Sequence, residues 1–290
     1  MSVRIIPRLE IKGSNLVKGV HLEGLRVLGS PQEFARHYYE QGADELLYID
    51  VVASLYQRNS LLDIVEKTSR EIFVPLAVGG GLRSVEDIRK VLCAGADKVS
   101  LNTAAIRNPE LVREAATRFG SSTIVVSIEA KKRPDGSYEA YIDNGRERTG
   151  VEVFQWAKRV AELGAGEIMI TSIDREGTGG GFDLDLTRRV AQSVQIPVIA
   201  CGGAGSVGDV HEVITAGCAD AVALSSVLHY HTIKQSEANA SVAPNQPPPG
   251  LPRGRQSSSK IKDSSLPALK EYLAARGIDC RHEQKQPAHG

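Results

Sequence analysis

Short apolar segments alternate with amphipathic segments along most of the chain. The apolar segments occupy residues 4–6, 45–50, 74–78, 98–101, 123–128, 167–170, 196–200 and 221–224. They are nearly continuous rather than alternating between apolar and polar, which is typical of parallel strands that are buried on both faces. The segments between them carry apolar residues at helical spacing. The pattern therefore predicts eight parallel strands separated by helices.

Capping residues mark the starts of the predicted helices. Residues 30–33 place Ser30 before a proline and a glutamate, which predicts a capping box. Ser84 with Asp87 three residues later predicts a second helix start, and Pro109 predicts a third. A helical pattern resumes at Leu266, and we take it as the last helix.

The two halves of the chain resemble each other. The segment 78–87, with its three consecutive glycines, recurs at 200–209, and the segment 5–12 recurs at 124–131. A duplicated set of four strands favours a closed (βα)8 barrel, which typically has about 250 residues. An open doubly wound sheet needs no internal repeat. We predict one α/β domain over residues 1–290, a TIM barrel built from two half-barrels.

Residues 235–265 interrupt this pattern. They are rich in Pro, Gly and Ser and contain almost no apolar residues. Such a segment buries too little surface to order itself, so we predict a disordered surface insertion. Docking of a partner on its proline-rich run is the less favoured interpretation.

Composition excludes several classes of function. Lys and Arg together number 35, and so do Asp and Glu, so no net positive charge attracts nucleic acid or an anionic membrane. No apolar run reaches the roughly 18 residues that span a bilayer, and the N-terminus lacks a signal sequence. The four cysteines and seven histidines show no metal-binding spacing. We therefore expect a cytoplasmic protein without a metal or cofactor.

Two glycine-rich turns predict phosphate binding. Gly80 and Gly81 precede one Ser-capped helix, and Gly202 and Gly203 precede another. Backbone N–H groups and helix N-termini at such turns bind anions, although glycines also serve tight packing between a strand and a helix. Further polar residues follow neighbouring strands, namely Asn102, Thr103, Ser225 and Ser226. Two such sites on one barrel mouth predict a substrate with a phosphate at each end.

Two carboxylates occupy equivalent positions of the repeat. Glu10 follows the first strand and Glu129 the fifth, so we expect them to face each other and to act as general acid and general base. The alternative is a pair of solvated charges. Nearby cations could keep them ionised or bind phosphate, and these are Lys12, Lys18 and Lys131. Three further acids could support the site or only orient loops, and these are Asp50, Asp174 and Glu176.

Specific motifs also lie at the strand ends: RIIP at 4–7, GADEL at 42–46, AVGGG at 77–81, GADKVSLNTAA at 95–105 and TSIDR at 171–175. Together they resemble the cyclase subunit of imidazole glycerol phosphate synthase, over nearly the whole chain outside 235–265. The resemblance implies a lyase. In that family a partner glutaminase supplies ammonia through the barrel, and the ammonia attacks the open-chain ribulosyl intermediate PRFAR. The products are imidazole glycerol phosphate and AICAR, and PRFAR carries two phosphates.

Four positions differ from the family pattern. The family has Asp where this chain has Glu10, Glu129 and Glu176, and it usually has Cys where this chain has Arg8. One extra methylene moves a carboxylate by about 1 Å, a displacement that can cost about a hundredfold in rate. Two hypotheses follow. The chain is either the cyclase with lengthened carboxylates, or a paralogue that conducts ammonia to another acceptor, such as a sugar of a surface polysaccharide. A non-catalytic scaffold is disfavoured because the acids and both glycine-rich turns are kept.

Four charged residues precede strands at the opposite end of the predicted barrel. Arg4, Glu45, Lys98 and Glu167 resemble the ring of charges that gates ammonia entry in the family. The alternative is a salt-bridge ring that only closes the barrel. If the ring is a gate, we expect a glutaminase subunit to dock on this amino-terminal face as a heterodimer, with Asp97 at the contact.

Overall fold

Eight parallel strands close into a barrel, and helices surround it. The computed structural model describes residues 2–53, 61–242 and 260–281. The strands in these residues are β1 (Arg4–Lys12), β2 (Asn15–Val20), β3 (Glu23–Gly29), β4 (Leu46–Asp50), β5 (Leu76–Gly79), β6 (Lys98–Leu101), β7 (Ile124–Lys132), β8 (Tyr138–Ile142), β9 (Glu147–Glu152), β10 (Glu167–Ser172), β11 (Val198–Cys201) and β12 (Ala221–Leu224). The barrel order is β1, β4, β5, β6, β7, β10, β11, β12 and back to β1, with every pair parallel. The predicted TIM barrel and its eight strands are confirmed.

The helices cover the outer face of the barrel. They are α1 (Pro31–Glu40), α2 (Leu62–Ser69), α3 (Val85–Cys93), α4 (Thr103–Arg107), α5 (Glu110–Phe119), α6 (Val153–Glu162), α7 (Leu184–Ser193), α8 (Val207–Thr215), α9 (Ser226–Val242) and α10 (Leu266–Ala274). Within the described part of the chain, no helix combines the length and apolar character needed to cross a membrane.

Helix starts agree with the capping prediction at Ser84 but not at Ser30. The Ser84 side chain accepts a hydrogen bond from the Asp87 N–H at 3.1 Å. The Ser30 hydroxyl instead donates to the Gln32 side chain at 3.1 Å and caps nothing, so the predicted capping box was wrong. Helix α1 still begins at Pro31, whose ring fixes φ near the helical value.

Two antiparallel hairpins at the barrel mouth were not predicted. Strands β2 and β3 follow β1, and strands β8 and β9 follow β7, so each half-barrel carries one. The tips of the hairpins meet, because the Asn144 side-chain amide donates to the Leu22 carbonyl at 3.1 Å. The hairpins therefore join the two halves above the mouth.

Side chains inside the barrel form layers. Alternation along β1 turns Ile5 and Leu9 toward the helices and Ile6 toward the barrel interior. The interior layer is apolar and consists of Ile6, Leu47, Ala77, Val125, Met169, Ile199, Cys201, Ala221 and Ala223. It separates the charged residues at the strand entrances from the residues at the mouth.

Aspartates that precede three strands fasten the barrel bottom. The carboxylates of Asp44, Asp97 and Asp220 accept backbone N–H groups at the starts of neighbouring strands, at 2.8 to 2.9 Å. These aspartates, two of which belong to the GAD motifs, thus have a structural role at the barrel bottom, and the predicted contact of Asp97 with a partner stays a prediction.

The edges of the predicted insertion differ from the expectation. Residues 235–242 continue helix α9, and on the far side Ile261 is buried against Gly179. Asp263 forms an ion pair with Lys234. Residues 243–259 lie outside the described residues. Helix α10 begins at Leu266 as predicted.

Candidate active site

Four charged side chains form an ion cluster in the barrel mouth. Its members are Arg8, Glu10, Lys18 and Glu176, and all four are buried. One Glu10 oxygen lies 3.1 Å from both the Arg8 guanidinium and the Lys18 ammonium. Lys18 also donates to Glu176, and Arg8 lies 3.7 Å from the same Glu176 oxygen. Two cations thus face two carboxylates, which offsets the desolvation cost of burying all four charges.

The ion cluster joins three parts of the chain. Arg8 and Glu10 lie on β1, Lys18 lies on β2, and Glu176 lies in the loop after β10. The hairpin of β2 and β3 folds back over β1, which brings Lys18 to Glu10. The hairpin tip is fixed by the His21 N–H, which donates to the Glu176 carbonyl at 2.8 Å.

The surroundings of the cluster shift the pKa values of Lys18 and Glu176. Burial alone would lower the pKa of Lys18, but the charges of Glu10 and Glu176 outweigh it and raise that pKa. Burial would raise the pKa of Glu176, but Lys18 and Arg8 hold it below its usual range. Lys18 and Glu176 therefore remain charged at neutral pH.

Glu129 lies in a different environment. Burial raises the pKa of its carboxyl to about 7, and this exceeds the opposing effects of Arg8 and of a hydrogen bond from the Gly145 N–H. That N–H donates to the Glu129 carboxylate at 2.7 Å. A carboxyl group with a pKa near neutral pH can both donate and accept a proton during a reaction.

A first cavity contains Glu129 and the phosphate site of the first half-barrel. Its wall includes every residue predicted for that site, namely Gly80, Gly81, Asn102 and Thr103. Arg8 and Asp50 also line it. Gly80 adopts a φ of +98°, and a Cβ there would lie 2.3 Å from the Asp50 carbonyl, so only glycine fits this close approach.

A second cavity contains the phosphate site of the other half-barrel. Its wall includes Gly202, Gly203, Ser225 and Ser226, together with Glu176 of the ion cluster. A Cβ at Gly203 would lie 2.2 Å from the Gly181 carbonyl. The first cavity lies by β5 and β6 and the second by β11 and β12, on opposite sides of the barrel.

Five residues predicted for the site at the mouth line neither cavity. Glu10 and Lys18 lie in the buried ion cluster, and the other three are exposed. Lys12 and Lys131 are exposed, so the cations beside the carboxylates are Lys18 and Arg8 instead. Asp174 is exposed and accepts the Lys132 N–H at 2.9 Å, so it orients a loop.

A buried histidine supports Arg8 and was missed from the sequence. The Arg8 carbonyl accepts hydrogen bonds from the Ser225 hydroxyl at 2.8 Å and from His229 Nε2 at 3.1 Å. Because a carbonyl only accepts, Nε2 carries the proton, and Nδ1 accepts from the Tyr38 hydroxyl at 2.6 Å. Burial lowers the pKa of His229 to about 3, so the ring is neutral. The available signal was its place three residues after Ser226 on the buried face of α9.

The four charges at the barrel bottom form a closed ring. Arg4 lies 2.8 Å from Glu45 and 3.0 Å from Glu167, and Lys98 lies 2.8 Å and 3.1 Å from the same two acids. Each cation thus pairs with both carboxylates. We call this set the entrance ring. Within the described ranges, no group of His, Cys, Asp or Glu side chains is arranged to hold a metal ion.

The amino-acid sequence of the chain is similar to a family of known proteins. The family model described as "Histidine biosynthesis protein" matches residues 4–234. The imidazole glycerol phosphate synthase subunit HisF of Alkaliphilus metalliredigens is 50% identical over 230 residues, which cover 79% of this chain and 91% of that protein. The protein of the same name from Legionella pneumophila is 58% identical over 204 residues, which cover 70% of this chain and 96% of that protein.

Proposed function

We propose an activity for this chain from its family membership. The chain belongs to the family of histidine biosynthesis proteins, together with the HisF subunits of imidazole glycerol phosphate synthase. The activity is that of the cyclase subunit, a lyase that uses ammonia to convert PRFAR into imidazole glycerol phosphate and AICAR. The observation that carries the proposal is the pair of glycine-lined cavities on opposite sides of one mouth, with carboxylates between them.

The two cavities suit the two ends of PRFAR. In each cavity a glycine-rich turn precedes a helix whose first turn is capped by a serine, Ser84 or Ser206. Free N–H groups and the positive end of the helix dipole stabilise a phosphate at such a position. One phosphate in each cavity stretches the substrate across the ion cluster and Glu129.

Glu129 and Glu10 take different roles in this proposal. The pKa of Glu129 is raised to about 7 by burial, so it holds a proton that it can give to the substrate as a general acid. Glu10 is fixed by Arg8 and Lys18 and accepts a proton from the incoming nitrogen. Neither role requires a cofactor.

The barrel interior suits the passage of ammonia. The entrance ring is followed by the apolar layer, and that layer leads to the ion cluster. Neutral ammonia crosses an apolar layer at low cost, whereas ammonium loses its hydration there. We therefore propose that a glutaminase subunit docks on the amino-terminal face and that the entrance ring admits its ammonia.

Turnover of PRFAR by the purified chain, with an ammonium salt as nitrogen source, tests the cyclase proposal. The expected result is equal amounts of imidazole glycerol phosphate and AICAR. Tight binding of PRFAR without turnover would contradict the proposal and would favour conduction of ammonia to another acceptor.

A further inference from the structure

Arg8 lies where the ion cluster meets the first cavity. Its side chain is 3% exposed and lies between Glu10 and Glu176. It also lines the first cavity together with Glu129, whereas Glu10, Lys18 and Glu176 do not. Arg8 is therefore the member of the ion cluster that a ligand in this cavity can reach.

The ion cluster does not satisfy the whole guanidinium group. The Arg8 Nε–H is buried and has no hydrogen-bond partner among the described residues. The Ser100 hydroxyl, which lines the same cavity, is also buried without a partner there. An unpaired buried donor costs free energy, so two of them in one cavity wall indicate a ligand acceptor atom.

The positive charge of Arg8 indicates which kind of acceptor atom it binds. The pKa of Arg8 is raised, because the nearby Glu10 and Glu176 carboxylates outweigh the effect of burial. The guanidinium is thus a permanent cation, and it suits an oxygen that carries or develops negative charge. The phosphates are assigned to the two glycine-rich turns, so the oxygen that meets Arg8 belongs to the segment between them.

We propose that Arg8 is a substrate-binding residue that, together with Ser100, holds a carbonyl or hydroxyl oxygen in the middle of a doubly phosphorylated substrate. The inference rests on the proposed function, in which this oxygen belongs to the ribulosyl chain of PRFAR. Arg8 would thus bind substrate through a positive charge, at a position where the family usually has an uncharged cysteine.

The replacement of Arg8 by lysine tests the hydrogen bonds of Arg8 to substrate without removing its positive charge from the ion cluster. Arg8→Lys keeps a cation beside Glu10 and Glu176 but removes the Nε–H donor and the planar guanidinium. Calorimetric titration with PRFAR, without ammonium or glutaminase, measures binding without turnover. We expect the dissociation constant for PRFAR to rise about tenfold or more, since charge-assisted hydrogen bonds are among the strong ones. The affinity for inorganic phosphate, which probes the two turns, should stay within about twofold.

Two further variants control the result. Ser100→Ala leaves the ion cluster intact and should weaken PRFAR binding several-fold with no change in phosphate binding. Arg36→Lys changes an exposed arginine on α1 and should change neither. Thermal unfolding of each variant reports whether it is folded, and Ser100→Ala carries the test if Arg8→Lys does not fold.

The outcomes separate this proposal from the proposed function. Unchanged affinity for PRFAR in Arg8→Lys and Ser100→Ala would overturn the role of Arg8, and so would a parallel loss of phosphate binding. Weaker binding by these variants, combined with no turnover in the unmodified chain, would support Arg8 and contradict the cyclase. A chain that does not bind PRFAR would overturn both.

Discussion

Glu10 and Glu129 occupy equivalent strand ends of the two half-barrels, but their surroundings differ. Glu10 lies in the ion cluster, where Arg8 and Lys18 each approach it to 3.1 Å. Among the described residues, Glu129 accepts its hydrogen bond from a neutral donor, the Gly145 N–H, and it lines the first cavity. The internal repeat therefore fixes where a carboxylate lies, whereas the neighbours decide which chemistry it can perform.

The hairpins produce this difference. Both half-barrels carry one, but the hairpin of β2 and β3 brings Lys18 to Glu10, while the tip between β8 and β9 brings a backbone N–H to Glu129. A charged partner stabilises the carboxylate, and a neutral one in a buried site leaves burial as the dominant influence on its pKa.

The largest expected effect is a loss of turnover when Glu129 can no longer donate a proton. Glu129→Gln keeps the size of the side chain and should lower kcat by about 100- to 10,000-fold, the usual contribution of general acid–base catalysis. PRFAR binding should persist, because both phosphate cavities are untouched. Steady-state kinetics with ammonium, compared with the exposed variant Glu162→Gln, measures this. Retained turnover would remove Glu129 from the mechanism.

Removal of Lys18 should affect stability most. Lys18→Met leaves two buried carboxylates to share Arg8, and an unbalanced buried charge typically costs about 3–5 kcal/mol in the free energy of unfolding. Lys12→Met alters an exposed lysine at the end of β1 and should change stability by less than about 0.5 kcal/mol. Urea unfolding of both variants tests the contrast. Equal free energies of unfolding for the two variants would mean that Lys18 does not stabilise the buried carboxylates of the ion cluster.

The free energy of unfolding should depend on pH through Glu129. Glu129 has a folded-state pKa of about 7, above the usual 4.5, so the folded protein keeps a proton that the unfolded chain releases. The free energy of unfolding should therefore fall as pH rises from about 4.5 to 7, by at most about 3 kcal/mol. Subtraction of the profile of Glu129→Gln from that of the unmodified chain isolates this decline. An identical pair of profiles would contradict the raised pKa.

The smallest effect is expected at the entrance ring. Lys98→Met breaks two of the four contacts but leaves the mouth unchanged. Ammonium-dependent turnover should change less than about twofold, because a partly exposed ion pair contributes little to stability. Turnover driven by glutamine and a glutaminase subunit should fall several-fold, since the ring lies on the proposed ammonia path. The measurement is the ratio of the glutamine-driven rate to the ammonium-driven rate. If Lys98→Met leaves this ratio unchanged, the entrance ring only closes the barrel and does not admit ammonia.

The sequence by itself determined the barrel, its duplication and the composition of both phosphate cavities. These follow from local information, because a strand buried on both faces must be apolar and a turn that approaches an anion closely requires glycine. Residues such as Gly80, Asn102, Gly202 and Ser225 lie after strands, and the carboxyl ends of parallel strands meet at one mouth.

Only the tertiary structure decided the partners of the charged groups. Lys12, Lys18 and Lys131 look alike in sequence, yet only Lys18 is folded back into the mouth. Arg8 and Glu176 are 168 positions apart in the chain and meet through barrel closure. The pKa of a carboxyl depends on its burial and on charges a few ångströms away, and neither quantity is a property of the local sequence.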